Sequence, residues 1–98
     1  MAHADANIQA HQGVPFDVAI LASPGTGYLW LLHEPPAAIR LLKEETEQTQ
    51  AAPVAGGTSR QLFHLIAASP GEYELVFELR RPWEADAVRR HIVQVHVS

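Results

Sequence analysis

The chain has 98 residues, of which 47% are hydrophobic, enough for one domain around a single modest core and too few for a second. Its formal charge is -4, and the seven Lys and Arg residues are scattered, so no basic stripe marks a nucleic-acid or anionic-membrane surface. With no cysteine, a disulfide scaffold, a thiolate nucleophile and a thiolate zinc site are all excluded.

The N-terminus, Met1 to Asn7, has neither a basic n-region nor an apolar h-region. No apolar run approaches the roughly 20 residues of a membrane span. The expectation is a soluble chain with no membrane partner, either cytoplasmic or a mature exported form.

A short first strand is expected near Asn7–Gln9. Val14, Phe16, Val18 and Ile20 then recur at every second position, the spacing that puts them on one face of a half-buried strand. Ser23-Pro24-Gly25-Thr26-Gly27 ends it. Tyr28 to Leu32 is an apolar and aromatic run long enough for a strand and too short for a stable helix, and His33-Glu34-Pro35-Pro36 breaks it.

Between Ala37 and Gln50 local propensity favours a helix, because Ala, Leu, Lys, Glu and Gln are good helix formers. The apolar residues, however, crowd into Ala37–Leu42 and leave the rest without a stripe to bury, which favours a strand near Ile39–Glu45. Pro53 and the Gly56-Gly57 pair mark a loop. A strand is expected to resume near Gln61, with Phe63 and Leu65 on one face.

Ser69-Pro70-Gly71 reads as a turn, after which Tyr73, Leu75, Phe77 and Leu79 alternate with Glu72, Glu74, Val76 and Glu78. Val93, Val95 and Val97 alternate in a last strand. About seven short strands and no helix make the expected fold all-β, an immunoglobulin-like antiparallel β-sandwich spanning residues 1–98 as a single domain.

In such a sandwich the second-to-third, fourth-to-fifth and sixth-to-seventh connections emerge at one end, where loops commonly carry binding function. These connections hold the least ordinary chemistry in the chain. In the first, Pro24 fixes its own φ while Gly25 and Gly27 open conformations closed to other residues, a way to hold Thr26 at a narrow tip. In the second, Gly56 and Gly57 let another backbone approach closely. In the third, Pro82 stiffens the approach to Trp83, a large amphipathic ring of the type enriched in binding hot spots, beside Arg80 and Arg81. An ordinary tight turn, a surface loop and a Trp folded back on the sandwich are the respective alternatives.

Together these residues resemble the chagasin family of cysteine-peptidase inhibitors, from Ile8 to Val97. The family's first motif, N-P-T-T-G followed by an aromatic, one residue and Trp, is matched at Pro24, Thr26, Gly27, Tyr28 and Trp30 and departs at Ser23 and Gly25. Its second, G-x-G-G with an aromatic a few residues on, is found as Val54-Ala55-Gly56-Gly57 with Phe63, lacking the first Gly. Its third, R-P-W with an acidic neighbour, is intact as Arg81-Pro82-Trp83-Glu84.

The resemblance implies a monomeric, reversible inhibitor of papain-like cysteine peptidases with no catalytic residue, cofactor or metal of its own. The peptidase-binding residues would be Pro24, Gly25, Thr26, Gly27, Tyr28, Gly56, Gly57, Arg81, Pro82 and Trp83. By the same resemblance Thr26 sits nearest the peptidase's catalytic Cys-His pair, and the other two loops clamp the flanks. An immunoglobulin-like adhesion or assembly module binding another protein or a glycan is the alternative from a different class.

Other signals point to ordinary surface chemistry. Six histidines invite a metal reading, but His91 and His96 lie an odd number of residues apart and so face opposite sides of one strand, and no pair has a recognised zinc spacing. Glu44, Glu45 and Glu47 fit a solvated strand edge. Ser23, Thr26 and the histidines form no recognisable triad motif.

Overall fold

The computed structural model describes residues 4–22, 27–48 and 59–98. They form seven strands: β1 (Ala6–Ala10), β2 (Phe16–Ala22), β3 (Leu29–His33), β4 (Ile39–Gln48), β5 (Ser59–Ala67), β6 (Gly71–Arg80) and β7 (Arg89–Val97). A four-stranded sheet in the order β1-β7-β6-β3 faces a three-stranded sheet in the order β2-β5-β4. Every pairing is antiparallel except that of β1 with β7, which is parallel and brings residues near the two chain ends together. Among the described residues no helix is long and apolar enough to cross a membrane.

The alternating pattern builds the core directly. Val18 and Ile20 of β2, Phe63, Leu65 and Ala67 of β5, Leu75 and Phe77 of β6, and Val93, Val95 and Val97 of β7 are all buried. Phe63 and Phe77, from opposite sheets, meet with ring centroids 4.7 Å apart and planes tilted by 48°, so the two layers interlock through an aromatic pair. The outward positions of the same strands mix polar and apolar residues, and one charged residue among them, Glu78, is buried, because His33, Arg80 and Arg90 close over it with oxygen–nitrogen distances of 3.3–3.7 Å.

The structure adjusts the expected elements at their edges. Val14, counted among the inward residues of β2, lies before the strand in a turn closed by Val14 N donating to the His11 carbonyl, and it is exposed. The segment from Ile39 is a strand, as its clustered apolar residues imply, and it runs on to Gln48. Its pairing with β5 outweighs helix propensity, and a register shift between Leu41 and Lys43 accommodates Leu42 as an extra residue. The break after β3 is a left-handed residue, Glu34 with φ 38°, ahead of the two prolines.

On the outer face of the three-stranded sheet His64 ties the strands together. Its Nδ1 lies 2.5 Å from Asp17 Oδ1 on β2, and its Nε2 lies 2.7 Å from Glu45 Oε2 on β4, which Lys43 also pairs with. A ring that donates through both nitrogens is an imidazolium. The hydrogen bonds to Glu45 and then Asp17 accordingly raise the His64 pKa, and that of Glu45 is lowered, chiefly by His64.

Two outcomes are expected. Phe63→Ala, which empties half of the inter-sheet pair, should cost about 3–5 kcal/mol in urea denaturation, a large share of the roughly 5–15 kcal/mol that a small domain has. The His64 contribution is fully present below the ordinary histidine value of about 6.5 and is lost as pH rises through the raised folded-state value. The Glu45 contribution is lost in the opposite direction, as pH falls below the ordinary carboxylate range. Melting temperature should therefore decline on going from pH 6 to pH 8, and His64→Gln should flatten that decline; an unchanged slope would remove the clamp from the account.

Candidate functional site

Strand register brings the ends that flank the three connections to one end of the sandwich. Ala22 and Gln48, the last residues of β2 and β4, both stand opposite Ser59, the first of β5. In the other sheet Leu29 at the start of β3 stands opposite Arg80 at the end of β6, and Leu79 opposite Arg89 at the start of β7. The two sets of ends are joined across the sheets. Trp30 N donates to Gln61 Oε1 at 2.8 Å, Gln61 Nε2 donates to the Trp30 carbonyl at 3.0 Å, and the Trp30 indole N–H donates to the Leu21 carbonyl at 3.0 Å.

The third connection is rigidly built. Glu84 N donates to the Arg81 carbonyl at 2.9 Å, closing a four-residue turn with Pro82 at its second position, where proline's fixed φ suits the chain. Arg80 Nη1 donates to the Glu84 carbonyl at 2.7 Å from the other side, and Arg80 Nε faces the buried Glu78 at 3.7 Å. The Arg81 guanidinium carbon sits 4.6 Å from the centroid of the Tyr28 ring, within the cation–π range. Trp83, held at the tip of this turn, is 75% exposed.

The described part of the first connection lies against this turn. Gly27 has φ +82°, and a Cβ built there would meet Arg81 Nε and Trp83 Cη2, each at 3.8 Å. That spacing is ordinary van der Waals contact, so the requirement for glycine comes from the backbone angle and not from crowding. Gly27, Tyr28, Arg81, Pro82 and Trp83 are thus one contiguous cluster contributed by two connections. Pro24, Gly25, Thr26, Gly56 and Gly57, the remaining residues expected at the site, lie outside the described residues, as do Ser23 and Val54.

Trp30, the last residue of the first motif, is buried in the core, with its ring edge-on to His91 at 5.9 Å between centroids. His96 lies on the opposite face of β7 with its Nδ1 2.6 Å from Glu72, as the odd spacing requires. Among the described residues no group of three His, Asp or Glu side chains is placed to hold a metal ion. Gln61 is a contributor that the sequence pattern signals only as a polar residue at an inward position of an otherwise apolar β5 face, and the part played by Arg80 in bracing Glu84 carries no sequence signal beyond its place beside the R-P-W motif.

A sandwich that gathers its connections at one end and offers an exposed, braced aromatic there has the layout of a scaffold that presents loops to a partner. More narrowly, residues 9–97 match the family model described as Chagasin family peptidase inhibitor I42, and the chain belongs to that family. It is accordingly an inhibitor of cysteine peptidases and not an enzyme.

Among solved structures, the cysteine protease inhibitor EhICP2 from Entamoeba histolytica superposes with a TM-score of 0.75 at 20% identity, over 95% of this chain and 86% of that one. The solution structure of amebosin gives 0.74 at 24% identity, over 97% and 90%. At these identities the two share the fold. A search of curated proteins returned no match.

The positive φ at Gly27 yields a direct check. Gly27→Ala should destabilise the folded chain by about 1–2 kcal/mol, the usual penalty for an L-residue in the left-handed region, with the sheets otherwise unchanged. Urea denaturation measures it, and an effect near zero would mean that the backbone at this position relaxes freely.

Proposed function

We propose that the chain is a reversible, monomeric inhibitor of papain-like cysteine peptidases that plugs the active-site cleft with the three connections at one end of the sandwich. In this reading Pro24, Gly25, Thr26 and Gly27 enter the cleft with Thr26 nearest the catalytic Cys-His pair. Gly56 and Gly57 run their backbone along one wall, and Tyr28, Arg81, Pro82 and Trp83 lie on the other.

The observation that carries the reading is the state of Trp83. A large aromatic that is three-quarters exposed is of little use to the core, yet its turn is fixed from both sides by the Glu84 N–H and the Arg80 guanidinium. Exposed area combined with prior rigidity suits a binding hot spot, because little freedom remains to be lost when a partner covers it. The cation–π stack of Arg81 on Tyr28 locks the neighbouring connection to the same turn, so two edges of the wedge are set before contact. A standard interface covers roughly 800 Å² per partner, which on this reading the three connections supply together.

Inhibition of papain by the purified chain tests the proposal, and a chain that leaves papain fully active at micromolar concentration would refute it. Trp83→Ala should weaken inhibition by about 2 kcal/mol or more, roughly thirtyfold in the inhibition constant, while the melting temperature stays close to that of the parent. Thr26→Trp should also impair inhibition, since a bulky side chain at the tip of an inserted segment obstructs the cleft. Unchanged potency would show that this segment is not inserted.

A further inference from the structure

The Gln61 side chain is only 7% exposed and belongs to the inward face of β5, in line with Phe63, Leu65 and Ala67. A polar group there must be bonded or it destabilises the core. Its amide makes two bonds to one residue, accepting from Trp30 N at 2.8 Å and donating to the Trp30 carbonyl at 3.0 Å. This is the pair of bonds that a neighbouring strand would make to an antiparallel partner. Among the described residues β3 is an edge strand, flanked only by β6. At Trp30 the Gln61 amide therefore stands in for the missing strand.

An open groove of about 190 Å³, lined by Leu29, Trp30, Glu44, Thr46, Gln61 and Phe63, runs between the β3 and β4 edges, so neighbouring backbone does not supply these bonds. The indole of the same Trp30 reaches Leu21 on β2, the residue before the last of that strand. Trp30 is thereby fixed to β5 through its backbone and to β2 through its ring. It also stands two residues after Tyr28 and three after Gly27, the residues that meet Arg81 and Trp83.

We infer that Gln61 is a positioning residue for inhibition: by holding the backbone of Trp30 from the opposite sheet, it sets where Gly27 and Tyr28 meet the Arg81–Trp83 turn. Gln61 does not touch the peptidase and acts through Trp30. The inference rests on the reading of the chain as a papain-like peptidase inhibitor, and it depends on an amide in particular, since one group must both accept and donate. A site whose supporting residues let it drift by an ångström loses much of its complementarity.

The test uses the full chain carrying Gln61→Met or Gln61→Glu, with the inhibition constant for papain and, in the free protein, the nuclear Overhauser contact between the Tyr28 ring and the Arg81 side chain. Gln61→Met keeps length and burial and removes both bonds. It should raise the inhibition constant about tenfold at a temperature where it is fully folded, and weaken the Tyr28–Arg81 contact. Gln61→Glu adds a readout that general destabilisation does not reproduce. As a carboxylate it accepts from Trp30 N but opposes the Trp30 carbonyl, whereas as a neutral acid it accepts and donates like the amide.

Relative to the parent chain at each pH, Gln61→Glu should be weak at pH 7.5 and recover towards parental potency near pH 5, since burial raises the carboxyl pKa into the acidic range. Recovery on protonation supports the inference even if Gln61→Met fails to fold. Potency of folded Gln61→Met within about twofold of the parent, or a Gln61→Glu to parent ratio that does not change with pH, overturns it. If the parent chain itself does not inhibit papain, the functional reading fails. The Tyr28–Arg81 contact, followed in Gln61→Glu across pH, still decides whether Gln61 positions the two connections.

Discussion

The amide of Gln61 is bonded twice to the backbone of Trp30, and through that one residue the two sheets acquire a fixed relation at the end where the connections gather. Apolar packing alone brings two sheets to about 10 Å and leaves them some freedom to slide, because the hydrophobic effect has no direction. A directional pair of hydrogen bonds in a dry interior removes that freedom, since any slip strands a buried donor and a buried acceptor at a cost of roughly 1–3 kcal/mol each. The indole bond from Trp30 to Leu21 fixes the same point to a third strand. Everything on the far side of Trp30, from Leu29 back to Gly27, is placed by this anchorage.

A second set of directional contacts builds the other half of the site. Glu78 is drawn into a buried position by His33, Arg80 and Arg90, and Arg80 also donates through Nη1 to the Glu84 carbonyl. The charge cluster on the sheet thus reaches into the turn that carries Trp83. Where the two halves meet, the contacts are of a different kind: a guanidinium over a phenol ring and a left-handed glycine beside Arg81 and Trp83. Polar anchors deep in each sheet and a soft junction between them give a surface that is ordered before it meets a partner, which is the property a reversible inhibitor needs if contact area is to become affinity.

Much of the fold was legible along the chain because a strand's period of two is a strictly local property. Tyr73 to Leu79 and Val93 to Val97 announce their faces residue by residue, and those faces are the buried ones. Errors arose at boundaries, where local pattern has no authority. Val14 continues the alternation of β2 but precedes the first residue paired with β5, and a residue outside the ladder has nothing to bury against. The segment from Ile39 shows the converse, since its helix-forming composition gives way to the pairing that a long β5 neighbour offers.

What the sequence by itself determined was the all-β class, the inward residues and, through the R-P-W, Pro24–Tyr28 and Gly56-Gly57 patterns, the family and hence the inhibitory function. These are carried by residue type and short spacing, which survive in a one-dimensional record. Only the tertiary structure decided that Gly27 and Tyr28 adjoin Arg81 and Trp83, that Trp83 stays in solvent, and that Gln61 bonds the Trp30 backbone and Arg80 the Glu84 carbonyl. Apart from the local bond of Arg80 to Glu84, the partners in those contacts lie far apart in the chain and are brought together by sheet register. A hydrogen bond between Gln61 and Trp30, 31 residues apart, exists only once two different ladders have fixed both ends.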